Sequence, residues 1–209
     1  MAKALKKGRR RIPTQPRAQM TVQSILDAAG DLVVRKGYQH ATTNRIAAAA
    51  GVPVSSLYQY FASREAVMLA LYESITSKTA QIMREKILRE IDSPTEVALP
   101  VIALALLNFY EKPGRVIFRL LEEAPHQRAD FQSLSVELLF HGASRVFLEQ
   151  HNFAKDSESS EKILFFMQNA IMANINQFIR LKPEFLTRED FVREISDMLI
   201  GYLRTRDSR

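Results

Sequence analysis

The stretch Val54-Ser55-Ser56-Leu57-Tyr58-Gln59-Tyr60 places two tyrosines, a glutamine and two serines on about two turns of a helix. Such groups donate and accept hydrogen bonds, and stack, without acting as acids or bases at neutral pH. Chemistry of that kind suits reading a surface of bases and phosphates. The charge upstream agrees. Residues 1–64 hold eleven Lys or Arg against two Asp, a net of +9, while the whole chain carries +6, which leaves −3 for the rest. A basic end joined to a mildly acidic remainder points to a polyanionic partner, nucleic acid or a membrane surface. The plainer alternative is a solvated basic tail with no partner.

Other chemistry finds little support. The absence of cysteine excludes disulfides, thiolate metal sites and cysteine nucleophiles. The four histidines, at 40, 126, 141 and 151, lack metal-ligand spacing. There is no glycine-rich phosphate loop, nucleophile elbow or HExxH pattern. We therefore expect no catalytic residue, no metal and no cofactor, and a protein that is not an enzyme. The longest apolar run, Val97–Leu107, falls far short of the ~20 residues that span a bilayer. No apolar core follows the basic start MAKALKKGRRRIPTQPRAQ, so it does not read as a secretory signal. The expectation is a soluble cytoplasmic protein without a membrane partner.

The elements that must hold these residues read as helical almost throughout. Residues 1–16 are basic, contain Pro13 and Pro16 and lack periodicity; they are expected to form a flexible arm. A first helix spans about 17–36, with Val22, Ile25, Leu26, Ala29, Leu32 and Val33 on one face and Gly37 as its stop. Thr42 is placed to cap a second helix that ends at Gly51. A third is expected to start with Pro53 as its first residue and to end near Tyr60. Ser63 precedes a fourth that reaches about Ile91. Ser93-Pro94-Thr95-Glu96 reads as a capping box, and Pro100 within the following segment predicts a kink or a later start. Further helices are expected at about 114–123, 129–151, 160–181 and 188–204, with 152–160 as a polar link and Thr187 as the last cap.

Two short helices joined by about four residues around Gly51 have the proportions of a helix-turn-helix. Ile46, Ala47, Ala50, Val52 and Leu57 suit its inner faces; Val54, Ser55, Ser56, Tyr58, Gln59 and Tyr60 suit an outer, reading face. A plain helical hairpin would also explain the caps and alanines. It would not call for two tyrosines and a glutamine projecting behind a basic segment.

The stretches Thr42-Thr43-Asn44-Arg45-Ile46-Ala47, Ala50-Gly51-Val52, Leu57-Tyr58-Gln59-Tyr60-Phe61 and Ser63-Arg64-Glu65-Ala66-Val67 closely resemble the signature of the TetR family of transcriptional regulators. Ile25-Leu26-Asp27-Ala28-Ala29 and Gly37-Tyr38 join that resemblance, which covers about residues 19–72. It implies that Thr42 and Thr43 bind phosphate at the positive end of the second helix. It implies that Val54, Ser55, Ser56 and Gln59 face base edges, Gln59 pairing with adenine and Val54 touching a thymine methyl. Tyr58, Tyr60 and Arg64 would then reach phosphates, or in the case of Tyr58 a thymine methyl. Many members have serine where Pro53 stands and glycine where Ser55 stands. The arm Lys6-Lys7-Gly8-Arg9-Arg10-Arg11 is expected to add affinity through counterion release, with entry into a minor groove as a further possibility.

The expected organisation is all-α: an arm at 1–16, a helix-turn-helix domain at 17–62 and a helical effector-binding and dimerisation domain at 63–209. The segment Ile163–Leu181 is apolar nearly all round, so it must be buried all round. By resemblance, helices within about 160–204 pair with those of a second copy, and the homodimer reads a palindromic operator on double-stranded DNA. A pocket for a small hydrophobic effector is expected, with Phe109, Phe118, Leu121, His141, Phe166, Met167, Asn169, Ile171 and Asn174 as candidate liners. Taken singly, each polar member reads more readily as a satisfied core group or a dimer contact than as a ligand contact. The function this supports is a repressor released by that effector; a regulator controlled by a protein partner is the alternative.

Overall fold

The computed structural model describes residues 15–112, 114–127, 130–131 and 136–207, the side chains of 136–140 and 207 excepted. The arm lies outside them, apart from Gln15 and Pro16. The helices are α1 (Pro16–Lys36), α2 (Thr43–Ala49), α3 (Val54–Tyr60), α4 (Arg64–Arg89), α5 (Thr95–Glu111), α6 (Arg115–Glu123), α7 (Val136–Gln150), α8 (Ser157–Leu181) and α9 (Arg188–Asp207). Short 3-10 turns occupy Tyr38–His40 and Pro125–Gln127. No strand occurs among the described residues, and none of the helices there is long and apolar enough to cross a membrane. The protein is all-α, as its periodicity indicates.

Several helix ends follow from their sequence chemistry. Gly37 stops α1 at φ 86° and ψ 162°, a region essentially reserved for glycine, with its N–H on the Val33 carbonyl at 3.0 Å. Thr187 caps α9: its hydroxyl accepts from the Asp190 N–H at 3.1 Å and donates to the Asp190 carboxylate at 2.7 Å. Others require correction. Pro53 and Pro94 are not first helical residues but caps, extended at ψ 144°. Their carbonyls start the helical ladder, accepting from Ser56 and Leu57 and from Val97 and Ala98. Ser93 makes no cap. Asp156, read as part of a link, caps α8 through the Ser159 N–H at 2.7 Å, so that helix starts at Ser157. Helix α5 runs through Pro100 from Thr95; one forfeited hydrogen bond is outweighed by burial of Ala98, Leu99, Ala103, Leu106 and Leu107.

The chain divides into two compact units. The first joins the residues through 76 with the 114–135 segment. Its core is Ile25, Ala29 and Val33 of α1, Tyr38, Ile46, Leu57 and Phe61, and the first turns of α4 at Val67 and Met68. Helix α6 packs on α1 through the apolar stripe Val116, Ile117 and Leu120, and Tyr72 stacks on Phe131 at 4.7 Å between ring centres.

The second unit joins residues 77–113 with those from 136 onward. Two ion pairs bind α5 to α9. Arg188 meets Glu111 at 3.0 Å and also donates to Asn108, while Arg204 meets Glu96 at 2.8 Å. The start of each helix faces the end of the other, so the two run antiparallel. Between these ends lie Leu99, Leu106, Ile195, Leu199 and Leu203, all buried.

Candidate functional site

The turn between α2 and α3 is built on backbone bonds. The Ala50 N–H reaches the Ile46 carbonyl at 2.9 Å, Gly51 reaches Ala48 at 3.2 Å, and Val52 reaches Ala47 at 3.0 Å. This tight path needs Gly51 at φ 67°. Leu57, wholly buried, pins α3 to the core. Helical spacing then sends Ser55, Tyr58 and Gln59 together to the opposite side, and all three are exposed. Val54, Ser56 and Tyr60 are half-buried at the margins of that stripe. Thr42 caps α2, accepting from the Arg45 N–H at 3.5 Å, and the Thr43 hydroxyl lies 3.2 Å from that of Tyr58. The residues expected to touch DNA on α2 and α3 thus adjoin one another.

Arg64 is more constrained than its sequence suggests. Its guanidinium sits 4.4 Å from the centre of the Tyr38 ring, and its Nε is 3.3 Å from the Glu65 carboxylate. Burial would raise the Glu65 carboxyl, but hydrogen bonds from its own backbone N–H, Ser63 and Arg64 together with the Arg64 charge hold it below its ordinary range. Tyr38 is fully buried, which pushes its phenol up despite the nearby Arg64 charge. The partners of Tyr38 come from afar: its N–H donates to Glu123 at 2.7 Å and its hydroxyl to Gln127 at 3.1 Å. Residue types and spacing carried no signal for these contacts, which cross 85 and 89 positions.

In the second unit a cavity of about 70 Å³ lies among α4, α5, α7 and α8. Ile87, Leu99, Ile102, Leu106, Phe147, Leu148, Leu164, Met167, Ile171 and Met172 surround it, with Ser144 and Gln168 as its polar members. Two of the expected liners, Met167 and Ile171, are there. The other seven are not. Phe109 is buried against Tyr110. Phe118 and Leu121 belong to the first unit. His141 pairs with Glu161 at 2.9 Å. Phe166 is 58% exposed. Asn169 and Asn174 bond back to the carbonyls of Phe165 and Ala170 in their own helix. Helical periodicity identifies an apolar face but not which part of it meets a void. A second, open groove of about 480 Å³ lies between the end of α8 and α9, and Asn174 borders it with Phe178, Phe191 and Met198. No group of His, Asp and Glu among the described residues is arranged to hold a metal ion.

Residues 25–71 match the family model of bacterial regulatory proteins, tetR family. The fatty acid metabolism regulator protein of Bacillus subtilis (strain 168) is 27% identical over 77 residues, which are 37% of this chain and 40% of that relative. Three solved structures share the fold. A candidate TetR-family regulator from Mesorhizobium loti MAFF303099 has a TM-score of 0.74 at 14% identity, covering 91% of this chain and 98% of its own. The fatty acid degradation regulator FadR of Bacillus halodurans has a TM-score of 0.69 at 15% identity, covering 86% and 97%. Thermus thermophilus FadR, a transcriptional repressor in complex with lauroyl-CoA, has a TM-score of 0.59 at 21% identity, covering 88% and 93%.

Proposed function

Because this chain belongs to the TetR family of transcriptional regulators, we propose that it is a repressor that grips a palindromic operator as a homodimer and lets go when a fatty-acyl molecule binds. The observation that carries the DNA reading is the exposed stripe of Ser55, Tyr58 and Gln59 on α3, flanked by Thr42, Thr43 and Arg64. On DNA, Gln59 pairs with an adenine edge and Val54 touches a thymine methyl, while Ser55 and Ser56 approach neighbouring bases. Thr42, Thr43, Tyr60 and Arg64 hold phosphates and set the register, and Tyr58 does so through its hydroxyl while its ring lies against a thymine methyl. The domains divide the work: the helix-turn-helix reads, and the helices beyond it bind effector and partner.

Two observations support the effector class. The cavity in the second unit is walled almost wholly by apolar side chains. Of the named relatives, one is a fatty acid metabolism regulator, one a fatty acid degradation regulator, and a third is a repressor in complex with lauroyl-CoA. Small-molecule pockets run from about 300 to 1,000 Å³, well above the present cavity. An acyl chain must therefore part α5, α7 and α8 to enter, and that displacement is what can favour a second conformation.

The homodimer rests on unburied apolar area. The Ile163–Leu181 part of α8 is apolar nearly all round, yet Phe165, Phe166 and Leu181 are exposed in the single chain, as are Phe185 just before α9 and Met198 within it. Pairing α8 and α9 with a second copy covers them.

Selection of bound duplexes from random DNA, followed by titration of lauroyl-CoA into the complex, tests the whole reading. An inverted repeat should emerge, and micromolar lauroyl-CoA should release it. Failure to enrich any sequence refutes the DNA reading; enrichment without release refutes only the effector.

A further inference from the structure

The 3-10 turn Pro125–Gln127 lies outside the family-matched residues 25–71, yet it is built into the same compact unit as the helix-turn-helix. Gln127 is buried and uses both ends of its amide. Its Oε1 accepts from the Tyr38 hydroxyl at 3.1 Å, and its Nε2 donates to the Glu65 carbonyl at 3.0 Å. A carbonyl only accepts, so the amide orientation is set by its partners. The Tyr38 hydroxyl has one proton and gives it to Gln127. The His126 Nε2, 3.2 Å from that oxygen, is therefore a donor. Tyr38 is thus held at its hydroxyl from two sides and at its N–H by Glu123. The ring itself is fully buried, and it is this ring that carries the Arg64 guanidinium. Glu65, whose carbonyl Gln127 holds, is the next residue to Arg64 and shares its ion pair.

We propose that Gln127, acting through Tyr38 and the Glu65 backbone, positions Arg64 for its phosphate contact and so sets operator affinity without touching DNA. The inference rests on the reading of Arg64 as a phosphate ligand. A side chain fixed before the encounter loses less freedom on binding than one that must be ordered by it. A guanidinium laid on an aromatic face, with one edge on a carboxylate, is ordered in that way. With Gln127 replaced by leucine, both bonds vanish at nearly constant volume. Tyr38→Phe cuts the same link from the other side while keeping the ring beneath Arg64.

The test is binding to the selected operator duplex, and to random-sequence duplex DNA, across a salt series. Each phosphate contact contributes about 0.9 to the slope of log K against log salt. Arg64→Ala should therefore lower the slope by about that amount for each reading head. Gln127→Leu and Tyr38→Phe should each lower it in the same direction and weaken binding roughly fivefold on both DNAs. In an Arg64→Ala background neither should have any further effect. Circular dichroism and thermal melts establish that each variant is folded; if one is not, the other carries the comparison. A wild-type slope and affinity in the folded variant, or an equal loss with and without Arg64, overturns the positioning role. An unchanged slope for Arg64→Ala overturns the phosphate contact itself, and the positioning role with it.

Discussion

The hydroxyl of Thr43, in the first turn of α2, lies 3.2 Å from the hydroxyl of Tyr58, midway along α3. Helices α2 and α3 are thus linked on their exposed side as well as through the buried contacts of Ile46, Ala47 and Leu57. Both hydroxyls stand where phosphates are expected, and a phosphate oxygen can replace either as partner for the other. The link pre-sets the two groups in DNA-free protein. Tyr58→Phe should weaken operator binding by roughly 1 kcal/mol, about five- to tenfold. Tyr58→Ala should weaken it further and relax base selection. Fluorescence anisotropy on operator and scrambled duplexes measures both; unchanged selectivity in the alanine variant would remove Tyr58 from the reading face.

Gly37→Ala should destabilise the protein by about 1–3 kcal/mol, the cost of forcing a side chain into φ and ψ that glycine alone adopts freely. A methyl group there would also come within 2.9 Å of the Glu123 carboxylate, against the bond that carboxylate makes to the Tyr38 N–H. Urea denaturation gives the loss, and a midpoint equal to wild type would contradict it.

Stability should depend on the Glu123 carboxylate in mild acid. Burial pushes this group up, but the Arg119 hydrogen bond, the Tyr38 N–H and the Arg119 charge outweigh it, leaving it below its ordinary 4.5. A carboxyl lowered on folding stabilises the native state fully above its unfolded value and loses that contribution as pH falls through the folded one. Between about pH 7 and pH 3, Glu123→Gln should therefore lose less stability than wild type. Paired thermal melts show this as converging midpoints; parallel curves would remove Glu123 from the acid response.

Filling the cavity should separate the two activities. Ile102→Trp places a larger ring where α5 borders the void. Overpacking costs about 1–3 kcal/mol, which a folded domain can absorb. Operator binding should persist while lauroyl-CoA no longer releases DNA. Release at wild-type concentrations would place the effector elsewhere.

Phe166→Glu should make the protein monomeric, because a charge replaces a ring that is 58% exposed in the single chain and expected to be buried in the pair. Sedimentation at micromolar concentration reads the mass, and operator affinity should fall with it. A dimer of unchanged stability would mean that α8 contributes little to the interface.

How much of this was legible beforehand depended on how far each feature reaches along the chain. The stop at Gly37, the cap at Thr42 and the reciprocal Thr187–Asp190 pair involve neighbours within a few residues, and residue type suffices to read them. Pro53 and Pro94 stand one position before the first helical residue that each is expected to be; the fixed φ of proline and its missing N–H mark a helix start without fixing it to the residue. The lining of the cavity in the second unit was the least legible feature. Phe166 and Met167 are adjacent and equally apolar, yet one is exposed and the other borders the void. A rotation of about 100° between consecutive residues decides that, and only the packed neighbours fix which direction is inward.

Helix α3 shows the division most clearly. Sequence alone determined that a short helix from about Pro53 to Tyr60 would follow a glycine turn with Leu57 inside, because helical period and side-chain polarity are local properties; of the six residues it set outside, Ser55, Tyr58 and Gln59 are exposed, whereas Val54, Ser56 and Tyr60 are half-buried. Only the tertiary structure decided what stands behind it. Arg64 rests on Tyr38, and Tyr38 is held by Glu123, His126 and Gln127, more than eighty positions away. Helix α6 and the 3-10 turn that follows it bring those three groups to Tyr38 because the apolar stripe of α6 must be buried, and α1 offers the complementary face.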